Sequence, residues 1–350
     1  MINGHGDDLY RYAGKVHMNF SSNIDASARL QPLMAHLTHC LNSIRNYPEP
    51  SPDSLEQAIA RKLGVAARHV LAANGATECI YLLAQHLAAD ATGKPLRHAI
   101  VQPTFSEYAD ACKLYGNSVV GVDGQSLWQT GFLQQIDVCW LCNPNNPTGR
   151  MFAVNHLLQL IDANPRTLFI VDQSYEDYVA QPVVAAKQVA QRSNVVALHS
   201  MTKRYCVPGL RLGYMVASPQ LIAQIKAHRY PWSMGALSLH AGLFLVNQAE
   251  AVLGGVEQRL AEARRLAQLL AAIPTLQVIS SATTFFLVRI DCATAAQLKQ
   301  WLIDHYGILI RDASNFEGLD NHCFRVASQT SLQNDTLVCA VKAFVAQTKA

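Results

Sequence analysis

The chain has 350 residues, half of them hydrophobic, and a formal net charge of +3, enough apolar sequence for one large core or a large domain beside a smaller one. Its Lys and Arg are dispersed, which excludes a basic stripe for nucleic acid and a polybasic membrane patch, and no stretch approaches the roughly 18 uncharged apolar residues of a membrane span. Nine scattered cysteines are too sparse for a disulfide-stapled fold and point to a reducing compartment; with no apolar leader in MINGHGDDLYRYAGK, the expected location is cytoplasmic.

From about residue 50, short β-branched runs alternate with amphipathic stretches, the pattern of a mostly parallel sheet covered by helices. Seven strands are predicted, at 69–73, 98–103, 118–122, 138–143, 167–172, 195–200 and 213–218, with helices over 54–63, 77–89, 105–115, 153–163 and 184–191. After Pro231-Trp232-Ser233 the texture changes. One long helical pattern over 236–271 leads to strands near 276–281, 285–290, 308–311 and 324–328 and a last helix near 331–347, which suggests an α+β unit. Residues 1–46 lack the alternation and are expected to pack on that second unit, near the site. The expected organisation is therefore an α/β large domain over 47–235 and a smaller α+β domain built from 1–46 and 236–350.

In such sheets a ligand sits off the carboxyl ends of the strands, and there the polar residues collect. In NGATE (74–78) Gly75 relieves a strand-to-helix turn, and the N–H groups of Ala76 and Thr77 sit at a helix N-terminus, a natural phosphate cradle. Phe105 in PTFSEY follows the next strand end, where an aromatic face can stack on a flat heterocycle. Cys139 and Cys142 form the lone C-x-x-C; three apart on a strand, they point to opposite faces and read as packed core, and no metal site is expected. The prolines of CNPNNPTG (142–149) fix a loop that presents the Asn146 amide. Asp172 ends the strand TLFIVD, with Tyr175 three residues on. A carboxylate there needs a partner, and a protonated ring nitrogen suits it, with the Tyr175 hydroxyl in reach of a phenolic oxygen. Asp172 as a plain helix cap is the simpler alternative. Finally, HSMTKRYCVPGLRLGY (199–214) puts the Lys203 amine, the Arg211 guanidinium and the hydroxyls of Ser200 and Thr202 at one strand end: an amine to condense with a carbonyl, and groups that suit a phosphate ester.

These strand ends, in the order cradle, stacker, amide, carboxylate and lysine, form one coherent site. On those residues the sequence resembles fold-type I pyridoxal-phosphate enzymes of the aminotransferase class I/II superfamily over essentially its whole length. Asp172 with Tyr175, Lys203 with Arg211 eight on, and N-N-P-T-G match the family's spacing. The resemblance implies pyridoxal 5′-phosphate held by Lys203 as a Schiff base, with Asp172 and Tyr175 as its catalytic companions. It also implies that Tyr47, in NYPEP, crosses a homodimer interface to the neighbour's cofactor phosphate.

Within the superfamily, PWS at 231–233, HG…NFSSNI at the start and ILIRDASNFEGLDNHCFRVA near the end look most like threonine-phosphate decarboxylases. Histidinol-phosphate aminotransferases are the nearest competitor, and a non-catalytic aminotransferase-like binding protein is a distant one, disfavoured by the complete Lys203, Asp172 and Arg211 set. Two guanidiniums, Arg311 and Arg325, suit a substrate with two anions. The resemblance gives Arg325 the α-carboxylate and places Arg311, His5 and Asn23 near a substrate phosphate, with Asn146 at substrate and cofactor alike. The chain departs from the family at Asp7, Asp8 and Asp25, whose charges would repel a phosphate unless they point away or pair with cations, and at Gly235, where Asn is frequent.

Overall fold

The computed structural model describes residues 8–12, 14–25, 28–90, 92–248 and 255–348. The chain begins with a two-residue strand β1 (Met18–Asn19) and helices α1 (Gln31–Cys40) and α2 (Asp53–Leu63). In α2 the first turn is acidic (Asp53, Glu56), the last turn basic (Arg61, Lys62), and Gly64 closes the helix at φ +66°; charge complements the helix dipole and glycine takes the left-handed cap at little cost. Then follow β2 (Val70–Asn74), α3 (Gly75–His86), β3 (Arg97–Val101), α4 (Glu107–Leu114), β4 (Ser118–Val122), β5 (Val138–Cys142), α5 (Val154–Ala163), β6 (Leu168–Asp172), α6 (Ala186–Ala190), β7 (Val195–His199), the single-turn α7 (Met201–Arg204), β8 (Leu212–Val216) and α8 (Pro219–Lys226).

The seven predicted strands form one sheet in the order β2-β8-β7-β6-β5-β3-β4. β8 runs antiparallel to both its neighbours, and the other pairs are parallel. Both faces are covered. Val70 and Ala72 pack with Leu55 and Leu157 on one side, while Leu71 and Ala73 pack with Ile80 and Ile222 on the other, the period-2 alternation of a strand buried twice over. The same alternation separates Cys139 from Cys142, which join opposite clusters. Burial pushes both thiols up, Cys139 to about 12, the behaviour of packed core rather than of a redox pair.

Beyond β8 and α8 come α9 (Ala236–Asn247), α10 (Val256–Ala271), β9 (Leu276–Val278), β10 (Phe285–Ile290), α11 (Ala295–Tyr306), β11 (Ile308–Leu309), β12 (Arg311–Asp312), β13 (Cys323–Ala327) and α12 (Ser331–Thr348). A four-stranded antiparallel sheet, β12-β13-β10-β9, packs through Phe286, Val288 and Phe324 with α10, α11 and α12. Helix and strand bounds differ from expectation in two places. The long pattern over 236–271 gives two helices, α9 ending at Asn247 and α10 beginning at Val256 with Gly255 as its cap. α9 buries Leu239, Ala241 and Leu245 in the large sheet's cluster, so its packing lies with the large unit rather than beyond a boundary at 235. The expected strand over 308–311 likewise splits, β11 pairing with β1 and β12 with β13. The N-terminal segment is divided as well: β1 and Phe20 join the small unit, whereas Leu33 of α1 joins the large cluster. Among the described residues, no helix is long and apolar enough to cross a membrane.

Candidate active site

The carboxyl ends of β2, β5, β6 and β7 open onto a cavity of about 250 Å³. Its walls include Ala76, Thr77, Phe105, Asn146, Asp172, Tyr175, Ser200, Thr202, Lys203, Arg211, Arg311 and Arg325. Gly75 stands just behind, at φ +84°, with the Arg211 guanidinium against the space where a side chain would begin. Thus thirteen of the sixteen residues expected at the site come together, from segments as far apart as Gly75 and Arg325. Of the rest, Tyr47 is 89% exposed, its ring 5.6 Å from that of Trp232 on the outer surface. Asn23 is fully buried at φ +52°, its side chain beside the Tyr175 hydroxyl, and it also lines a neighbouring cavity with Asp25 and Arg29. His5 lies outside the described residues.

Lys203 is the third residue of α7, the turn that follows β7, and Ser200 caps that turn by accepting from the Lys203 N–H at 3.4 Å. The Lys203 ammonium donates to the Ser22 carbonyl at 2.6 Å, and Ser21 and Ser22 form part of the cavity wall. Asp172, at the last residue of β6, is 4% exposed and accepts from the Tyr108 hydroxyl at 2.6 Å and the Ser174 N–H at 2.8 Å. These donors fix the carboxylate in place, the condition for pairing with a cationic ring. Tyr108 sits stacked on Trp140, and Phe105 meets it edge-on at 5.8 Å. Burial raises the Tyr175 hydroxyl to about 12, against the opposing charge of Arg325. The Asn146 loop is locked by its own amides: Asn143 exchanges hydrogen bonds with Phe152 at 2.8 and 3.1 Å, and Asn145 donates to Pro103 and Thr148.

Arg311 of β12 and Arg325 of β13 are directly opposite partners in the antiparallel ladder, a register in which like charges repel. Both are nearly fully buried, and loss of water pushes both guanidiniums down to about 10. Arg325 donates to the Asn146 side chain and the Ser21 carbonyl, and its buried Nε has no hydrogen-bond partner among the described residues. Arg311 reaches Asn315 at 2.7 Å and lies over the Phe316 ring. Two desolvated cations side by side are costly without an anion between them. Of the acidic departures from the family pattern, Asp8 pairs with Lys299 at 2.7 Å while its charge still reaches Arg311, and Asp25 lies 3.8 Å from Arg259. Asp7 lies outside the described residues.

The other pole of the cavity has the donors a phosphate monoester requires: the N-terminus of the twelve-residue α3, the hydroxyls of Ser200 and Thr202, and Arg211. Arg211 donates to the Pro208 carbonyl at 3.0 Å and approaches Thr202 at 3.5 Å. The cradle is closed from behind by Gly213, where a Cβ would fall 2.3 Å from the Ala76 nitrogen. Phosphate at one pole, Asp172 at depth and Lys203 between them match a phosphorylated pyridine aldehyde such as pyridoxal 5′-phosphate. Gly213→Ala should therefore cost about 1–3 kcal/mol of stability by overpacking and weaken cofactor retention, read by thermal unfolding with and without added cofactor; unchanged unfolding would mean the backbone yields. Sequence reading missed Ser21, Ser22, Tyr108, Asn315 and Phe316. Only Tyr108 had a local signal, since it lies three residues after Phe105 on the start of a helix.

Residues 17–344 match the family model for aminotransferase class I and II. The chain is 30% identical to a threonine-phosphate decarboxylase of Salmonella typhimurium, over 97% of its own length and 95% of the relative's. A crystal structure of L-threonine-O-3-phosphate decarboxylase from Porphyromonas gingivalis superposes with a TM-score of 0.90 at 34% identity, covering 94% of this chain and 99% of that one. A histidinol-phosphate aminotransferase of Desulfitobacterium hafniense is 27% identical over 85% of this chain and 84% of the relative.

Proposed function

The chain belongs to the aminotransferase class I and II family, and from that premise we propose that it is a pyridoxal 5′-phosphate enzyme that decarboxylates L-threonine O-3-phosphate to (R)-1-amino-2-propanol phosphate, a step of cobalamin biosynthesis. The observation that carries the substrate reading is the buried Arg311–Arg325 pair in opposite register, facing the same cavity as Lys203. A ligand with both a carboxylate and a phosphate satisfies both guanidiniums at once. The likeness to named threonine-phosphate decarboxylases over nearly the whole chain supports the same reading.

The cofactor, when bound, supplies an electron sink for the bond that breaks at the substrate's Cα. The chain's residues do the rest. The α3 N-terminus, Ser200, Thr202 and Arg211 would hold the cofactor phosphate, and Asp172, fixed by Tyr108 and Ser174, would pair with the ring nitrogen. Phe105 would pack against the ring, while the Asn146 amide and the Tyr175 hydroxyl would serve its phenolic oxygen. Arg325 orients the substrate carboxylate, and Arg311 takes the phosphate. Lys203 would hold the cofactor, and its Nζ would return a proton to the substrate's Cα after carbon dioxide leaves.

Tyr47 completes a neighbouring site in a homodimer. Its exposure, together with that of Ile44, Tyr230 and Trp232, is the apolar surface such a contact would cover. Sedimentation of the cofactor-loaded protein should give a dimer, and a monomer with full cofactor occupancy would contradict this. The substrate reading is tested by comparing L-threonine O-3-phosphate, L-threonine, and histidinol phosphate with 2-oxoglutarate. Carbon dioxide and the amino alcohol phosphate from the first alone are expected; glutamate from the third would instead make the enzyme an aminotransferase.

A further inference from the structure

Outside the active site, three soft ligands from two helices meet. His36 and Cys40 lie four residues apart on α1, one turn on the same face, and His240 reaches them from α9. One ligand atom from each falls within 4.8 Å of the others, and all three residues are half-buried. The Cys40 sulfur lies 3.6 Å from His36 Nε2. In a tetrahedral zinc site, bond lengths of about 2.3 Å to sulfur and 2.0–2.1 Å to nitrogen set the sulfur–nitrogen edge at about 3.6 Å, so this edge is already formed. The His36 ring is held by stacking on Phe244, centroids 4.6 Å apart. We propose that His36, Cys40 and His240 bind one divalent transition metal of the zinc class, with the fourth position left to water.

Such a site ties α1 to α9 and is independent of the chemistry assigned to the active site. Two histidines and a thiolate select a borderline-soft ion over magnesium or calcium. Binding requires Cys40 to ionise, its proton passing to solvent, so affinity falls as pH falls. The sequence expectation of no metal site missed this set because His240 lies about two hundred residues from Cys40 and no short spacing motif joins them.

The test uses the cofactor-loaded protein after treatment with chelator and dialysis. Zinc is titrated in competition with a chromophoric chelator, and Co²⁺ is added as a spectroscopic stand-in, read at wavelengths longer than the cofactor's own bands. One zinc per chain is expected, with tetrahedral Co²⁺ bands and a thiolate charge-transfer band. Cys40→Ser and His240→Ala should each weaken zinc by at least about 100-fold, while Cys339→Ser, at an exposed cysteine away from the cluster, should leave it unchanged. Should either variant fail to fold, the wild-type protein still decides, through its stoichiometry, thiolate band and loss of affinity at low pH. No stoichiometric zinc on the wild type, octahedral Co²⁺ without a thiolate band, or equal affinity in folded Cys40→Ser would overturn the proposal.

Discussion

Lys203→Ala should lower turnover by at least about 1,000-fold, because in the proposed reaction it removes both the group that would hold the cofactor covalently and the proton donor to Cα. The wild-type protein should be yellow, with a visible absorbance band that borohydride bleaches while fixing the cofactor to Lys203. The variant should lose the reducible band while retaining phosphate-dependent cofactor affinity, since the α3 N-terminus, Ser200, Thr202 and Arg211 remain. The ammonium's hydrogen bond to the Ser22 carbonyl goes as well, so the unfolding midpoint is measured alongside. A variant that keeps a borohydride-reducible band at this site would place the attachment on another lysine.

Arg325→Ala should reduce kcat/KM for L-threonine phosphate by about 2–4 kcal/mol, roughly 30- to 1,000-fold, the cost of truncating one partner of a desolvated charge pair. Arg325→Lys should recover little of it, because a point charge cannot reproduce the fork that now spans Asn146 and Ser21. Arg311→Ala should cost a similar amount and should do so selectively. It should abolish the preference for the phosphorylated substrate over L-threonine, whereas Arg325→Ala should weaken both. The two losses should not add, since the guanidiniums occupy opposite register positions and each relieves or worsens the other's burial. Equal losses on phosphorylated and free threonine for Arg311→Ala would move the phosphate elsewhere in the cavity.

Most of this site was legible because a parallel sheet collects its chemistry at strand ends, and each strand end is local in sequence. Asp172, Asn146 and Lys203 each follow a β-branched run, so reading seven strands was enough to gather them. What escaped depends on contacts no local pattern encodes. Ser21 and Ser22 act through backbone carbonyls, which every residue has. The opposition of Arg311 and Arg325 needs the register of β12 on β13, and the expected single strand over 308–311 hid it. The pairings of Asp8 with Lys299 and Asp25 with Arg259, which give the departures from the family pattern cationic partners, join residues hundreds of positions apart. α8 was missed although Ser218 caps it and Pro219 opens it; at eight residues its apolar stripe is too short to stand out beside the strand before it.

In the proposed reaction the cavity breaks the bond to the carboxylate rather than the bond to hydrogen at Cα. This is tested most directly by following the carboxyl carbon of L-threonine O-3-phosphate, isotopically labelled at that position, with purified enzyme, cofactor and no oxo acid. The account predicts release of the label as carbon dioxide in step with amino alcohol phosphate, over many turnovers per site. Label retained in the organic product, or turnover that stops after one equivalent until an oxo acid is added, would contradict it.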